Sequence, residues 1–400
     1  MRVLFADKLP DRSRVRLASN GFEVRSEPKL EGDALTERIA SFDPEVLVVR
    51  GTKVTKAHLE NGPALALVVR AGAGVNTIDL ATASERGVFV SNCPGKNAVA
   101  VAELAIGLMV ALDRRIGDNT NDLRAGKWAK GEYSKANGLK GRTFGIIGFG
   151  DIGRETAARA RAFGMPVLVW TRSMSAEKAE MYGVERASSP EEVAKRADVL
   201  SVHLALSGQT RGLVGESVFR EIKPGSIFLN TARAEVIDNE ALLAAIDAKN
   251  LRVGLDVWPD EPSGSEGSYD HALAKHPRVY GTHHIGASTE EAQEAVADEM
   301  CRIVETYRDS GRVPNCVNLA KRSPADHGLV IRHRDRVGVL AGVLGVLREL
   351  AINVEEMENT IFDGGKAAIA RIQVAGRPSN DALVRIAGLE HVLHVAVVSL

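Results

Sequence analysis

Gly148-Phe149-Gly150-Asp151-Ile152-Gly153 follows the apolar run Phe144–Gly148 and opens onto a helical stretch. A glycine-rich turn between a strand and a helix is the setting in which a parallel α/β sheet holds a dinucleotide. The three glycines do different things. Gly148 permits the tight turn, Gly150 lets the backbone approach a pyrophosphate, and Gly153 lets helix and strand pack closely. The helix start at Asp151 and Ile152 then turns free N–H groups and a positive dipole end toward the anion.

That strand belongs to a series. Val167–Thr171, Val199–Leu204, Ser226–Asn230, Val253–Val257 and Val279–Thr282 follow it with helical stretches between, six strands in all. Six is the count of a doubly wound, Rossmann-type sheet. An earlier series, Val3–Ala6, Phe22–Arg25, Val46–Val49, Leu65–Val69 and Val88–Val90, alternates with helices such as Asp33–Ser41 and predicts a second parallel sheet of flavodoxin-like kind. Between the two, Ala98 to about Asn121 is apolar nearly all round and reads as one long helix buried between layers. Residues 259–278 read as a loop rich in Pro, Gly, Ser and acidic residues, and Glu290–Ser310 as a long amphipathic helix.

Gly311–Asp326, with two prolines and a polar cluster, reads as a linker. Beyond it comes a βαββαβ pattern, with strands Leu329–His333, Val354–Phe362, Lys366–Val374 and Val392–Leu400 and helices Gly338–Ala351 and Ser379–Ala387. This is a ferredoxin-like unit. The expected fold is therefore α/β, with two doubly wound parallel-sheet domains and a ferredoxin-like tail. Residues 1–98 with 284–318 make one domain, 99–283 the other, 319–326 the linker and 327–400 the tail.

Composition narrows the function. The 400 residues carry 51 Lys plus Arg against 52 Asp plus Glu, a formal net charge of −1. So even a balance lacks the basic excess of a nucleic-acid or membrane-surface protein. Ordinary hydrophobic and charged content excludes collagen-like, disordered and disulfide-scaffold classes. Cys93, Cys301 and Cys316 fit neither a disulfide framework nor a zinc site, so no metal is expected and the thiols read as reduced, in the cytoplasm. No run approaches the ~20 apolar residues of a membrane span, and Met1–Asp7 reads as a strand entering a loop rather than a signal peptide.

The residue that reads the adenosine ribose stands ~20 positions beyond the glycine loop. Trp170-Thr171-Arg172-Ser173 occupies that place and holds no carboxylate. A carboxylate would bind the ribose 2′-hydroxyl and repel a 2′-phosphate; Thr171, Arg172 and Ser173 offer a cation and hydroxyls instead, which admits NADP(H) beside NAD(H). Ligands lie beyond the carboxyl ends of such strands. There the sequence places Leu204, then Thr231-Ala232-Arg233, then Asp256 and Trp258-Pro259-Asp260-Glu261-Pro262, then His283-His284-Ile285-Gly286. A cation, a carboxylate and an imidazole thus converge where the dinucleotide lies. Hydride transfer from a 2-hydroxy acid needs these groups. A histidine takes the hydroxyl proton, a carboxylate favours the imidazolium, and a guanidinium holds the substrate carboxylate.

Taken in order, Gly148–Gly153, Lys223-Pro224-Gly225-Ser226, Asn230-Thr231-Ala232-Arg233, Asp256–Pro262 and His284-Ile285-Gly286-Ala287-Ser288-Thr289 resemble the D-isomer-specific 2-hydroxyacid dehydrogenases, over roughly residues 1–320. The resemblance implies that Arg233 binds substrate, Glu261 is the carboxylate partner, His284 is the acid–base and Asp256 faces the nicotinamide carboxamide. It selects His284 over His283 because the family histidine precedes Ile-Gly. It also brings Leu204 and Thr231 into the cofactor set. Ala234 and Ala205 depart from the family's usual glycine and proline.

Val49-Arg50-Gly51-Thr52-Lys53-Val54-Thr55 and Val69-Arg70-Ala71-Gly72-Ala73-Gly74-Val75 are similar to the phosphoglycerate dehydrogenase branch. By that resemblance Gly72, Ala73 and Gly74 offer backbone N–H groups to the substrate carboxylate and Arg50 and Arg70 meet a phosphate. Lys130 lies in a segment that in this family reaches a neighbouring subunit. His333-Arg334-Asp335-Arg336-Val337-Gly338-Val339-Leu340, followed by Ile352-Asn353-Val354, resembles an ACT domain, with His333, Asp335 and Asn353 at its effector contacts; Asp335 replaces a usual asparagine. The resemblance implies NAD(P)-dependent oxidation of 3-phospho-D-glycerate, L-serine or another amino acid as effector, and a homodimer through the cofactor domain. Tetramer formation through the tail stays open. So do two other readings, an NADPH-dependent glyoxylate or hydroxypyruvate reductase and a dinucleotide-sensing corepressor or scaffold. Arg172 favours the first of these, and the tail opposes it. An intact Arg233, Glu261 and His284 opposes the second.

Overall fold

β-Branched side chains are stiff and pack well on a pleated surface buried on both faces, so the apolar runs become the strands of parallel sheets. The computed structural model describes residues 1–262, 266–320 and 322–400. The expected 259–278 loop and 319–326 linker include residues 263–265 and 321, which lie outside the described ones. The chain forms two compact units, Met1–Asn318 and Leu319–Leu400.

In the larger unit β1 (Arg2–Phe5), β2 (Glu23–Ser26), β3 (Val46–Val49), β4 (Leu67–Arg70) and β5 (Phe89–Asn92) form a parallel sheet in the order β2-β1-β3-β4-β5. That is the flavodoxin-like order. β6 (Phe144–Ile147), β7 (Val167–Trp170), β8 (Glu185–Arg186), β9 (Val199–Val202), β10 (Ile227–Asn230), β11 (Arg252–Leu255) and β12 (Val279–Gly281) form a second parallel sheet, ordered β12-β11-β10-β9-β6-β7-β8. The strand order reverses between β6 and β9, which opens a crevice at their carboxyl ends.

The second sheet has seven strands where six were expected. β8 is two residues long and polar, so it carries no hydrophobic signature. The other strands end earlier than expected, which moves Gly148, Thr171, Leu204, Asp256 and Thr282 into the loops at the carboxyl edge.

The stretch Ala98–Asn121 is two helices, Ala98–Arg114 and Ile116–Arg124, not one. Arg115 adopts the left-handed conformation (φ 51°) and its guanidinium binds Asp118 and Glu132, so the chain turns where the apolar run gives out. The first helix packs Ile106, Met109 and Leu112 against Phe144, Ala157 and Leu229; the second buries nothing.

The Glu290–Ser310 helix lays Val296, Met300, Ile303 and Val304 on Val3, Val46 and Leu67 of the first sheet. Residues 311–318 are not linker, as composition suggested. The Val317 N–H donates to the Val90 carbonyl at 2.8 Å, and Asn318 binds both the Val90 N–H and the Val88 carbonyl of the same edge. The chain therefore leaves the first sheet after β5 and returns to it, as expected. Both sheets nevertheless belong to one compact unit, because the crossing segments are themselves tied in: Cys93 N–H binds the Gly72 carbonyl, and Gly286 N–H binds Asp256.

In the smaller unit β13 (His327–Arg334), β14 (Val354–Ile361), β15 (Ala367–Val374) and β16 (Val392–Ser399) form an antiparallel sheet in the order β14-β15-β13-β16. Helices Val339–Glu349 and Asn380–Ala387 cover one face, with Val343, Leu347 and Ile386 packed on Leu329, Ile331 and Ile372. This is the expected ferredoxin-like unit.

Candidate active site

The glycine loop is built as its sequence requires. Gly148 sits at φ 98°, and a Cβ there would drive into the His203 carbonyl. A Cβ at Gly153 would drive into the Gly148 carbonyl. Gly150 faces open space, with nothing within 4 Å of a Cβ. Behind it runs the helix Asp151–Ala162, flanked by a cavity of about 370 Å³ lined by Gly95, Lys96, Val99, Asp151, Arg154 and Glu155. After β10 the Thr231 hydroxyl is buried and, among the described residues, has no hydrogen-bond partner. His203, behind the loop, is fully buried with Nε2 2.9 Å from the Ser201 hydroxyl; burial pushes it down to about 4, so it is neutral at physiological pH. Thr171, Arg172 and Ser173 follow β7, and the Arg172 guanidinium donates to the Gln209 side chain. A bare N–H cradle at a helix start, a hydroxyl in want of a partner and an exposed cation at the ribose position fit a nicotinamide dinucleotide.

Three loops, after β10, β11 and β12, hold Arg233, Glu261 and His284. His284 Nδ1 lies 2.7 Å from Glu261 Oε2, and Glu261 Oε1 accepts the Trp258 N–H at 2.8 Å. Burial alone would push the Glu261 carboxyl up. The hydrogen bond and charge of His284, the Trp258 N–H and the Arg233 charge outweigh it, and the group rests below the usual carboxylate range. His284 is half-exposed, so its ring is open to the cleft while its Nδ1 is held. Asn230 pins the Arg233 loop by accepting the Ala232 N–H at 3.0 Å and donating to the Arg233 carbonyl at 2.9 Å.

Arg233 reaches from this dyad to the first sheet, where its guanidinium lies against Gly74. The Arg70 guanidinium lies against Gly72 in the same loop, and its buried Nε has no hydrogen-bond partner among the described residues. Burial, then the charges of Arg233 and Arg50, push Arg70 down to about 10. Arg50 hangs from a loop fixed by one oxygen of Asp7, which accepts the N–H groups of Arg50, Gly51 and Thr52 at 2.5, 3.0 and 3.0 Å. Two guanidiniums thus crowd the Gly72-Ala73-Gly74 loop, with the charge of Arg50 acting on one of them.

Residues 106–286 match the family described as D-isomer specific 2-hydroxyacid dehydrogenase, NAD binding domain. The chain is 40% identical over 303 residues to the hydroxypyruvate reductase of Thermotoga maritima, a match covering 75% of this chain and 95% of that protein. The chain belongs to the D-isomer specific 2-hydroxyacid dehydrogenases. It is also 36% identical over 321 residues to the D-3-phosphoglycerate dehydrogenase of Methanocaldococcus jannaschii, covering 80% of this chain but 60% of the longer relative. The NAD⁺-bound structure of 3-phosphoglycerate dehydrogenase from Entamoeba histolytica superposes with a TM-score of 0.67 at 26% identity, over 80% of this chain and 99% of that one. The glycine loop lies inside the matched NAD-binding domain.

The Asp256 carboxylate is buried and accepts three hydrogen bonds, from the Thr282 hydroxyl (2.6 Å) and the N–H groups of Ile285 (2.8 Å) and Gly286 (2.9 Å). One expectation for this dehydrogenase is placed differently. His333 alternates with Leu329 and Ile331 onto the helix-covered face of β13. It is buried, with Nδ1 2.8 Å from the Arg334 carbonyl and Nε2 3.1 Å from Asn359 Oδ1, so of the three expected effector contacts only Asp335 and Asn353 stand exposed. Lys130 is exposed at the start of the Lys130–Tyr133 turn and, among the described residues, its side chain makes no hydrogen bond or ion pair.

Sequence reasoning missed the residues that hold the loops: Asp7, Asn92, Asn230 and Thr282. Asn92 donates to the Ala73 carbonyl at 2.5 Å and so fixes the peptide between Gly72 and Gly74. Each is a short polar residue within two positions of a strand's carboxyl end, and that placement was the available signal.

Proposed function

We propose that this 2-hydroxyacid dehydrogenase interconverts 3-phospho-D-glycerate and 3-phosphohydroxypyruvate with NAD(H) or NADP(H). One observation carries the choice of a phosphorylated acid. Arg70 and Arg233 lie against one loop, the charge of Arg50 acts on Arg70, and among the described residues none of the three has a carboxylate ion-pair partner. A substrate with both a carboxylate and a phosphate supplies the missing negative charge, and guanidinium forks suit both groups.

The nicotinamide would exchange hydride with substrate C2. The chain's own groups do the rest. With Nδ1 committed to Glu261, His284 has Nε2 free to take the 2-hydroxyl proton in oxidation and return it in reduction. The ionised Glu261 favours the imidazolium so formed. Arg233 and the Gly72–Gly74 N–H groups hold the substrate carboxylate, and Arg233 polarises the 2-oxygen. Residues 1–98 with 284–318 form the substrate side of the cleft and 99–283 the cofactor side.

A second reading, an NADPH-dependent glyoxylate or hydroxypyruvate reductase, is favoured by Thr171-Arg172 at the ribose position. Comparing kcat/KM for phosphorylated and unphosphorylated acids with each cofactor separates the two. A clear advantage for the phosphorylated acid is expected, and none would overturn the proposal.

We extend the reading to an amino-acid effector such as L-serine near Asp335 and Asn353, tested by L-serine inhibition of the steady-state rate. We also infer a homodimer through the exposed apolar Ile116, Leu123 and Trp128, tested by sedimentation of Trp128→Glu.

A further inference from the structure

The catalytic dyad sits inside a closed ring of hydrogen bonds. Asp256 Oδ1 accepts the Thr282 hydroxyl at 2.6 Å and the Ile285 N–H at 2.8 Å; Oδ2 accepts the Gly286 N–H at 2.9 Å. The Thr282 carbonyl accepts the Trp258 indole N–H at 2.8 Å. The Trp258 backbone N–H binds Glu261, and Glu261 binds His284 Nδ1 at 2.7 Å. The ring closes at His284, which precedes Ile285 in the chain.

His284 itself is in the left-handed region at φ 53°, where a non-glycine residue is strained. Such a conformation persists only when its surroundings over-determine it. Two N–H groups following His284 are held by the two oxygens of one buried carboxylate, and the ring is held by Glu261. There is also no room for slack. A Cβ on Gly286 would sit 2.9 Å from Asp256 Oδ2 and 3.3 Å from Val101.

We propose that Asp256 and Thr282 are positioning residues that hold the His284 backbone in its strained conformation and so aim the imidazole at the reacting oxygen. This rests on His284 being the acid–base residue. Asp256 acts through buried backbone contacts, and Thr282 meets Asp256 through its hydroxyl and the Trp258 indole through its carbonyl, so one residue joins the two halves of the ring.

The test measures kcat, substrate KM and NADH dissociation constants for Asp256→Asn, Thr282→Val, Thr282→Ser and His284→Ala. A displacement of about an ångström at a reacting group costs on the order of a hundredfold in rate. Asp256→Asn puts an amide against an N–H donor and should lose kcat on that scale. Thr282→Val removes only the hydroxyl and should lose roughly tenfold in kcat with NADH affinity within about twofold of wild type, and Thr282→Ser should recover most of that loss. Thr282→Val leaves the buried carboxylate in place, so it keeps the question answerable if Asp256→Asn does not fold. In Thr282→Val, weaker NADH binding in step with lost rate, or an unchanged kcat, would overturn the proposal. A His284→Ala enzyme that turns over at the wild-type rate would instead overturn the acid–base assignment beneath it.

Discussion

Replacing Gly148 and Gly150 by alanine, one at a time, separates the glycine loop's structural role from its binding role. At Gly148 the backbone is left-handed (φ 98°) and the new methyl meets the His203 carbonyl. That carbonyl cannot yield freely, because the His203 N–H is bound to Ile147 at 2.8 Å and anchors the end of β9. The left-handed conformation costs about 1–2 kcal/mol and overpacking about 1–3 kcal/mol. A loss of about 3 kcal/mol is expected from a total stability of about 5–15 kcal/mol. At Gly150 the backbone is extended and the methyl meets nothing, so stability should stay within ~0.5 kcal/mol. That methyl instead occupies the approach of a phosphate to the N–H groups. Losing one or two charged hydrogen bonds costs about 1.5–3 kcal/mol, or about 10–100-fold in the dinucleotide dissociation constant. Urea unfolding and NADH fluorescence titration read the two quantities separately. Gly150→Ala binding NADH like wild type would refute the loop as the phosphate cradle. Gly148→Ala unfolding like wild type would refute the steric account.

Three further outcomes follow from the site. Glu261 lies below the usual carboxylate range, so its ionic support of His284 is intact above about pH 4.5 and fades as pH falls through the depressed value. Glu261→Gln should lower kcat roughly tenfold at neutral pH, with the gap closing only below about pH 4.5; a gap that closes while the pH is still above about 4.5 would contradict this. Arg172→Ala should weaken NADP(H) more than NAD(H) in steady-state KM, and equal losses would reject Arg172 as a 2′-phosphate partner. Arg70 carries its charge at a cost present at neutral pH and relieved only as pH rises through about 10. Arg70→Met should therefore raise ligand-free stability by about 1 kcal/mol in urea unfolding at pH 7 while removing any preference for the phosphorylated acid; a less stable variant that keeps the preference would sink the reading.

The fold was legible where hydrophobic periodicity was strong. The central strands Val46–Val49 and Val199–Val202 and the Glu290–Ser310 helix stand where the pattern puts them. It failed where geometry depended on polar contacts made at a distance. Nothing in Ala98–Asn121 announces that Arg115 will turn left-handed to reach Glu132, seventeen residues on. Nothing in Gly311–Asn318 announces that Asn318 will bracket a strand more than 200 residues earlier in the chain. In the site, Arg233, Glu261 and His284 were readable because each follows a strand of one sheet, and the structure brings them together. The hydrogen bonds of Asp256 were not readable, because its donors come from Thr282, Ile285 and Gly286 of another loop.

Several features that break local rules lie at the site. His284 and Asp260 are left-handed without being glycine, and among the described residues a buried Arg70 guanidinium nitrogen and the buried Thr231 hydroxyl have no partner. Each would be selected against in a sequence shaped for stability alone, since strain costs about 1–3 kcal/mol and an unsatisfied buried polar group about 1–3 kcal/mol. The sheets beneath them are regular and well packed. Such local conflicts in an otherwise consistent fold mark functional sites. Here they lie at the carboxyl edges of two sheets, linked by Arg233, whose guanidinium belongs to one sheet's loop and rests on the other's. A ligand that meets Arg233 is therefore read by both sheets at once, which is why the acid's charge and the hydride's geometry are decided in the same cleft.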